Sequence, residues 1–194
     1  MREKMVHPIE KYLREYVSAT PEEVETVING FEPRPVAKGE WLLQQGEVCR
    51  SLYFLETGLV MFSSYQEGEQ VSKFFTEPPY LFTAQQSFLY QFPAQEGIIC
   101  LEDCSLWEMT SKLAMELLAQ AFWANFIRKI TQEVQYNTEQ LYLAMQNQTA
   151  EDRYREMLSH QADLIQRVPL KFLASYLGVA PQSLSRIRKK IMTL

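Results

Sequence analysis

The feature that most constrains the fold is a series of short apolar segments between Phe31 and Thr110, separated by turn residues. Six segments are rich in β-branched and aromatic residues: Glu40–Leu43, Ser51–Leu55, Leu59–Tyr65, Val71–Phe75, Gly97–Leu101 and Ser105–Met109. Residues 56–58 (Glu-Thr-Gly) and 67–68 (Glu-Gly) are hairpin-type breaks between them. Many short strands at this spacing predict a small antiparallel barrel or jelly roll, here called the β-roll.

Helical sequence flanks the β-roll on both sides, which predicts an α+β protein. Residues 8–30 are expected to be helical, with Thr20 as an N-cap and Pro21 at the first helical position. The pattern becomes helical again from residue 111, and a further helix is predicted from Thr149 to about Leu164. We therefore expect a β-roll sensor domain over residues 1–110, a long helix over residues 111–148 and a small C-terminal domain over residues 149–194.

A stripe of mostly apolar residues recurs every three or four positions along the long helix. Its members are Trp123, Ile127, Ile130, Val134, Asn137, Leu141 and Ala144. This spacing is typical of a seam between two helices, where a polar Asn137 would fix the register. A helix of ~30 residues would be ~45 Å long, more than so small a domain covers. The pattern favours a parallel homodimer, although a helix packed on its own domain would show the same stripe.

The clearest functional pattern is the sequence LKFLASYLGVAPQSLSRIRKKI at residues 170–191. Ala174 is small where two helices must approach closely, and Gly178 suits a tight turn that requires a positive φ. Leu184 and Ile187 give the second helix an inward face. This arrangement predicts a helix-turn-helix whose second helix enters the major groove of double-stranded DNA. The residues predicted to contact bases or nearby phosphates are Gln182, Ser183, Ser185 and Arg186, and those predicted to contact backbone phosphates are Arg188, Lys189 and Lys190.

The distribution of charge agrees with a DNA-binding C-terminus. The chain carries a net charge of −5, which by itself disfavours binding to nucleic acid. Residues 167–194 contain six basic and no acidic residues, which leaves 13 basic and 24 acidic residues in 1–166, a net charge of −11. A basic end on an acidic body is typical of a polyanion-binding module attached to a body that does not bind polyanions.

In their order and spacing, these segments resemble the cyclic-AMP receptor protein/FNR (Crp/Fnr) family of bacterial transcription regulators. Residues 38–40 (Lys-Gly-Glu), 46–47 (Gly-Glu), 51–55 and 58–60 resemble its opening β-roll strands, and residues 101–107 its closing strand. Residues 173–179 and 185–187 resemble its helix-turn-helix. The resemblance implies a cyclic-nucleotide-binding-like domain, a dimerisation helix, a homodimer that reads an inverted repeat, and RNA polymerase as a further partner. Because the sequence stops at Leu194, the family's β-hairpin wing is expected to be missing.

The resemblance also implies an effector pocket, where this sequence departs from the relatives that bind cyclic nucleotides. Those relatives carry a Gly-Glu pair for the ribose and an Arg for the phosphate. The corresponding positions here read about Thr83-Ala84 and Ala94-Gln95, and no Lys or Arg occurs between Lys73 and Lys112. A buried phosphate without a cationic partner is costly, so we expect no cyclic AMP binding of the usual kind. The pocket candidates are Phe82, Thr83, Gln85, Gln86, Ser87, Gln95 and Thr138.

Aromatic residues are abundant in the same region of the sequence. They are Phe74, Phe75, Tyr80, Phe82, Phe88, Tyr90 and Phe92. These rings either fill the pocket or line a site for an uncharged or apolar small-molecule effector of unknown identity. Filling is the favoured interpretation.

Other classes of function find little support in the sequence. Three cysteines (Cys49, Cys100 and Cys104) and two distant histidines (His7 and His160) are too few for an iron–sulfur, haem or zinc site, so no metal or other cofactor is expected. The same scarcity of histidine disfavours an enzyme. No apolar run approaches a membrane span and no signal peptide is recognisable, so we expect a cytoplasmic protein that does not bind membranes. A dimeric sensor or scaffold that acts through protein partners stays open as an alternative.

Overall fold

Two four-stranded antiparallel sheets form the N-terminal domain of the computed structural model, which describes residues 6–192. The strands are β1 (Glu32–Val36), β2 (Trp41–Leu43), β3 (Ser51–Thr57), β4 (Val60–Gln66), β5 (Glu69–Thr76), β6 (Tyr80–Phe82), β7 (Gly97–Cys100) and β8 (Cys104–Thr110). One sheet has the order β1-β8-β3-β6 and the other β2-β7-β4-β5. All six predicted strands are confirmed, and with them the antiparallel β-roll.

The two strands that the sequence analysis missed lie at sheet edges. Strand β1 contains Pro33 and Pro35 and pairs only with β8. Proline cannot donate a backbone hydrogen bond, but an edge strand leaves one side of its backbone unpaired and therefore tolerates it. Strand β6 is only three residues long and pairs only with β3. Neither strand shows the long alternating pattern from which strands are recognised.

Helices precede, interrupt and follow the β-roll. They are α1 (Pro8–Tyr16), α2 (Pro21–Asn29), α3 (Gln85–Tyr90), α4 (Ser111–Leu117), α5 (Ala121–Asn147), α6 (Ala150–His160), α7 (Ala162–Arg167), α8 (Leu170–Tyr176) and α9 (Pro181–Met192). The predicted cap at Thr20 is confirmed, since its side chain accepts a hydrogen bond from the Glu23 backbone N–H. The helix predicted from Thr149 to about Leu164 is instead two helices, because Gln161 has non-helical φ and ψ of −138° and 41°. Within residues 6–192, no helix is both long and apolar enough to cross a membrane.

Strand β4 separates two apolar cores. Val60 and Phe62 point into the first core, which the two sheets share with α1, α2 and the start of α5. Leu59, which precedes β4, and Met61 point the other way into a second core beneath the C-terminal helices. All four residues are at most 1% exposed. Burial on both faces explains why this stretch is continuously apolar rather than alternating.

Most of the stripe on α5 packs against the β-roll of its own chain, and not against a second helix as predicted. Trp123 and Ile130 are buried in the first core of their own chain, and Ile127 and Val134 pack against the same core half-buried. The prediction that Trp123 and Ile130 lie on a dimer seam is therefore wrong. A spacing of three and four residues shows that a helix has an apolar face, but it does not identify what covers that face. Of the remaining members, Asn137 is exposed and Leu141 and Ala144 are half-buried.

A capping interaction fixes the start of α6, where the chain leaves the long helix. The Thr149 hydroxyl accepts a 3.2 Å hydrogen bond from the Asp152 backbone N–H, and the Asp152 carboxylate accepts one from the Thr149 N–H. Replacing Thr149 by alanine should lower the free energy of unfolding by about 1 kcal/mol, measured by urea denaturation. Thr26→Ala is the matched control, because Thr26 lies inside α2 and alanine is the better helix former there. Equal losses for both variants would contradict the prediction.

Candidate nucleic-acid interface and effector cavity

Helices α8 and α9 form a compact pair joined by a tight turn. Gly178 has the positive φ that the sequence predicts, at 70°, and the Val179 backbone N–H donates 3.0 Å to the Ala174 carbonyl. Ala174 is fully buried, which confirms that a small residue is needed there. Leu184 of α9 is also fully buried. These contacts fix the direction of α9 relative to α8 and determine which of its faces points outward.

The outward face of α9 carries polar and basic side chains. Gln182, Ser185, Arg186 and Lys189 are all exposed. Each of them lies three or four residues from two of the others, so all four side chains lie on one side of the helix. The opposite side carries buried Leu184 and half-buried Ile187, which pack in the second core. The structure therefore brings together four of the seven predicted DNA-contacting residues on one exposed face.

The other three predicted residues occupy different surroundings. The guanidinium of Arg188 lies 5.7 Å from the centre of the Tyr154 ring, and the side chain is half-buried. Lys190 donates to the Glu151 carboxylate at 2.8 Å, although its side chain is still 63% exposed. Ser183 is half-buried. Of these, Lys190 is the most readily available to a phosphate, because an exposed ion pair contributes little free energy.

Arg167 joins the C-terminal helices to the β-roll. Its Nε and Nη2 donate to the two carboxylate oxygens of Glu102 at 2.9 and 2.6 Å. Its Nη1 donates to the Glu77 carboxylate at 2.8 Å, and Nη2 also donates to the Gly58 carbonyl at 2.8 Å. This is the forked geometry in which arginine binds a carboxylate most strongly. Arg167 is one of the six basic residues counted near the C-terminus, but here it serves an internal contact.

The same interface contains apolar and backbone contacts. The Phe75 and Tyr176 rings lie 5.4 Å apart between their centres. The backbone N–H of Ser72, on the edge strand β5, donates 3.0 Å to the hydroxyl of Ser175 in α8. Leu101 of the β-roll packs into the second core with the C-terminal helices. Helix α8 therefore covers an otherwise open sheet edge and fixes the position of α9 relative to the β-roll.

The ion pair at this interface should make stability depend on acid pH. Hydrogen bonding to Arg167 holds the pKa of Glu102 below its ordinary value of 4.5. The folded protein therefore binds this proton more weakly than the unfolded chain, so the contribution of Glu102 is present above pH 4.5 and is lost as the pH falls through the folded pKa. Urea unfolding between pH 6 and pH 3 should show this loss for the native protein. The slope should be smaller for Glu102→Gln, and an unchanged slope would refute the assignment.

An apolar cavity of about 350 Å³ lies between the β-roll and α5. Its walls come from both sheets, from α3 and α4, and from one side of the long helix. The lining includes Leu52, Phe62, Phe74, Tyr80, Leu81, Phe82, Thr83, Gln85, Phe88, Leu89, Glu96, Ala114, Met115, Leu118, Trp123, Ile127, Ile130, Thr131, Val134 and Thr138. This volume falls at the lower end of the range of about 300–1,000 Å³ typical of small-molecule sites.

Four of the seven residues predicted for the effector pocket come together in this cavity. Phe82, Thr83, Gln85 and Thr138 line the cavity. Of the remaining aromatic residues, Phe74, Tyr80 and Phe88 also form its walls. The favoured interpretation that these rings fill the pocket is wrong, because they surround an open volume. Phe75 instead packs against Tyr176 in the interface with the C-terminal helices, while Tyr90 and Phe92 are exposed.

Three predicted pocket residues lie elsewhere. Gln86, Ser87 and Gln95 line a second depression, on the far side of α3 from the cavity residues Gln85 and Leu89. Ser87 has a structural role: it is buried, its hydroxyl donates 2.6 Å to the Phe92 carbonyl, and it accepts a hydrogen bond from the Cys49 N–H. Adjacent residues of a short helix point in different directions, so proximity in sequence did not predict which side chains meet in space.

The polar groups of the cavity wall are mostly acceptors. The Thr83 hydroxyl donates 2.8 Å to the Ser51 carbonyl, and those of Thr131 and Thr138 donate to carbonyls of α5 at 2.8 and 2.7 Å. These three oxygens therefore present only lone pairs to the cavity. Burial raises the pKa of Tyr80 to about 12, so its hydroxyl is neutral at physiological pH.

One charged residue, Glu96, stands out in the wall, and the sequence analysis did not select it. Its carboxylate pairs with Lys73 at 2.9 Å. Within the part of the chain that the structure describes, no Lys or Arg lines the cavity. In the sequence, Lys73 is notable only because no other Lys or Arg follows it until Lys112. Lys73 of β5 reaches Glu96, the residue before β7, because these two strands lie on either side of β4 in one sheet.

The cysteines and histidines lie in separate surroundings. Cys49, Cys100 and Cys104 are free and buried. His7 packs against the Trp107 ring, and His160 is exposed at the end of α6. Across residues 6–192, no three His, Cys, Asp or Glu side chains are grouped so that they could hold a metal ion.

Residues 33–121 match the cyclic nucleotide-binding domain family. This span runs from the second residue of β1 to the first residue of α5 and so covers the β-roll strands except for Glu32. It also contains the cavity walls that the β-roll, α3 and α4 contribute. No curated protein gives a significant sequence match.

Solved structures of bacterial regulators share the fold across most of the chain. The Thermus thermophilus catabolite activator protein is 20% identical, with 92% of this chain and 86% of that one covered and a TM-score of 0.55. The Xanthomonas campestris regulator CLP, described as responsive to c-di-GMP, is 15% identical, with 90% and 92% covered and a TM-score of 0.69. A Eubacterium rectale protein assigned to the Crp/Fnr regulators is 12% identical, with 90% and 84% covered and a TM-score of 0.73. At these identities the likeness establishes the fold.

Proposed function

Because this chain resembles the Crp/Fnr regulators in both its cyclic nucleotide-binding domain and its fold, as its sequence predicts, we propose that it is a homodimeric, sequence-specific DNA-binding transcription regulator. The observation that carries this proposal is the exposed face of α9, where Gln182, Ser185, Arg186 and Lys189 stand on a helix held rigidly by its buried side. Helices α8 and α9 then act as a helix-turn-helix, with α9 as the recognition helix.

The chemistry of this face suits the major groove. Glutamine can form two hydrogen bonds to adenine, and arginine can form two to guanine. Gln182 and Arg186 are one helical turn apart near the start of α9, which is the part of a recognition helix that reaches base edges. Lys189, one turn further on, and Lys190 are placed to contact phosphates, which supply affinity that does not depend on sequence.

Dimerisation through α5 would present two such helices. This helix has 27 residues and is about 40 Å long at 1.5 Å per residue. Its second half leaves large apolar side chains in solvent, including Tyr142 at 60% and Met145 at 48% exposure. Met145 continues a stripe of three- and four-residue spacing with Thr138 and Leu141, next to the side that packs on the β-roll. In a homodimer, the α5 helix of the second copy could pack along this stripe and remove its apolar side chains from solvent.

The test is selection of binding sites from a library of random duplexes, using the full chain. We expect enrichment of an inverted repeat whose half-site centres lie one helical turn, about 10–10.5 base pairs, apart. Sedimentation of the free protein should show a dimer. A selection that enriches no duplex at low ionic strength would refute DNA binding. It would leave the alternative of a sensor that acts through protein partners.

A further inference from the structure

We infer that the cavity between the β-roll and α5 binds a neutral, mainly apolar small molecule that carries a hydrogen-bond donor, and that it excludes anions, cyclic nucleotides among them. This inference deepens the proposed function, since it names the chemical class of the effector. It rests on the cavity alone, so its test does not involve DNA. Four observations support it: the apolar lining, the charge of Glu96, the orientation of three hydroxyl groups, and an exposed rim that gives access.

The lining selects for apolar surface. Most of the wall consists of aromatic and aliphatic side chains from the β-roll and from the long helix, such as Phe62, Phe82, Trp123 and Ile130. A cavity lined in this way gains free energy in proportion to the apolar area that a ligand removes from water. A ligand of the cavity's size therefore derives its affinity mainly from apolar contact.

The charge of the wall selects against anions. Glu96 is the acidic group of the lining, and the nearest cation, Lys73, is already paired with it at 2.9 Å. An anion in the cavity would lose its hydration and would find no unpaired cation among the described lining residues, because Lys73 is already neutralised by Glu96. A phosphodiester would meet both penalties. Any anion of the cavity's size would meet the same penalties, so we expect a general preference for neutral ligands and not merely weak binding of one nucleotide.

The hydroxyl groups of the wall favour a ligand that carries a hydrogen-bond donor. Thr83, Thr131 and Thr138 each donate their proton to a backbone carbonyl, so each offers only lone pairs to the ligand. A ligand hydroxyl or N–H can donate to them, whereas a ligand carbonyl or phosphate oxygen would face another acceptor. The Gln85 amide and the neutral Tyr80 hydroxyl are the groups of the wall that can satisfy one acceptor on the ligand.

The rim of the cavity provides both access and a place to change its charge. Leu89 on α3 lines the cavity and is 44% exposed, and Met115 on α4 lines it and is 45% exposed. Tyr90, the neighbour of Leu89, is 65% exposed and does not line the cavity. A charge introduced at Leu89 therefore enters the cavity wall without burial in the core, and the same charge at Tyr90 serves as its control.

The experiment uses two fluorescent probes with one skeleton. N-phenyl-1-naphthylamine is neutral, apolar and carries one N–H, and 8-anilinonaphthalene-1-sulfonate is the same molecule with an added sulfonate. Titrated into the full chain, the neutral probe should bind with a micromolar Kd and the anionic probe at least tenfold more weakly. Cyclic AMP at millimolar concentration should not displace the neutral probe. Equal or tighter binding of the anionic probe, or displacement by cyclic AMP, would overturn the inference.

Variants then locate the site. Leu89→Lys should tighten binding of the anionic probe about tenfold, and Tyr90→Lys should change it less than twofold. Glu96→Gln, which also releases Lys73, should favour the anionic probe in the same direction and leave the neutral probe within twofold. If Leu89→Lys and Tyr90→Lys behave alike, the probes bind outside the cavity and the inference fails. Cooperative thermal unfolding of each variant establishes that the native fold is being compared.

Discussion

Alanine at both Gln182 and Arg186 should reduce affinity for the selected duplex about 100-fold or more. Each side chain that reads a base edge in two hydrogen bonds contributes about 1–3 kcal/mol of discrimination, which corresponds to roughly 5- to 150-fold in affinity. Both residues are exposed and contact no core, so neither substitution should lower the free energy of unfolding measurably. The measurement is a mobility shift or fluorescence anisotropy titration at fixed salt concentration.

Two controls distinguish sequence reading from general attraction to DNA. Arg50→Ala removes the same charge from an exposed position before β3, on the β-roll, and should leave affinity within twofold. Lys190→Ala should weaken all duplexes alike and reduce the salt dependence of binding by about one counterion. If Arg50→Ala costs as much as Arg186→Ala, then net charge governs binding and α9 is not the recognition helix.

Arg167→Ala should lower the free energy of unfolding by about 2–3 kcal/mol. The substitution removes three charge-assisted hydrogen bonds to carboxylates and one to a backbone carbonyl, and leaves Glu102 without its cationic partner. Hydrogen bonds to charged groups contribute about 1.5–3 kcal/mol each, and we discount their sum because Arg167 is 31% exposed. Urea unfolding followed by circular dichroism measures the loss.

The matched control for Arg167 is Arg155, which pairs with Glu151 one turn away on the surface of α6. Arg155→Ala should cost about 0.5 kcal/mol or less, as exposed pairs within a helix do. Arg167→Lys should recover only part of the loss, because an ammonium group cannot reproduce the forked contact with Glu102. Equal losses for Arg167→Ala and Arg155→Ala would show that the interface contact does not stabilise the folded chain.

The sequence predicted the elements whose pattern is local. The six longer strands, the Thr20 cap and the turn at Gly178 follow from alternation, from a side chain that accepts a nearby N–H, and from the need for a positive φ. Strand β1 was missed because its stability comes from β8, about seventy residues away in the chain. Its own residues, two of them proline, show no preference for a strand.

The prediction of functional residues was limited in the same way, because their surroundings depend on distant parts of the chain. Arg167 and Arg186 are both basic residues near the C-terminus, and only the tertiary structure shows that the first faces Glu102 while the second faces solvent. Gln95 and Glu96 are adjacent in the chain, but Gln95, the predicted pocket residue, lies outside the cavity, whereas Glu96 lines it. Which face of an element is covered depends on packing between distant segments, and a single sequence does not record it.

Strand β4 gives the effector cavity and the C-terminal helices a common wall. Phe62 borders the cavity, and its neighbour Met61 lies beneath those helices, with their Cα atoms 3.8 Å apart across one peptide bond. A molecule that displaces the Phe62 ring must push against a backbone that is buried on both sides. If the proposed function holds, the most direct route from a ligand in the cavity to α9 would cross the thickness of this single strand. Tight packing on the far side of the strand would then turn a small displacement into a tilt of α9.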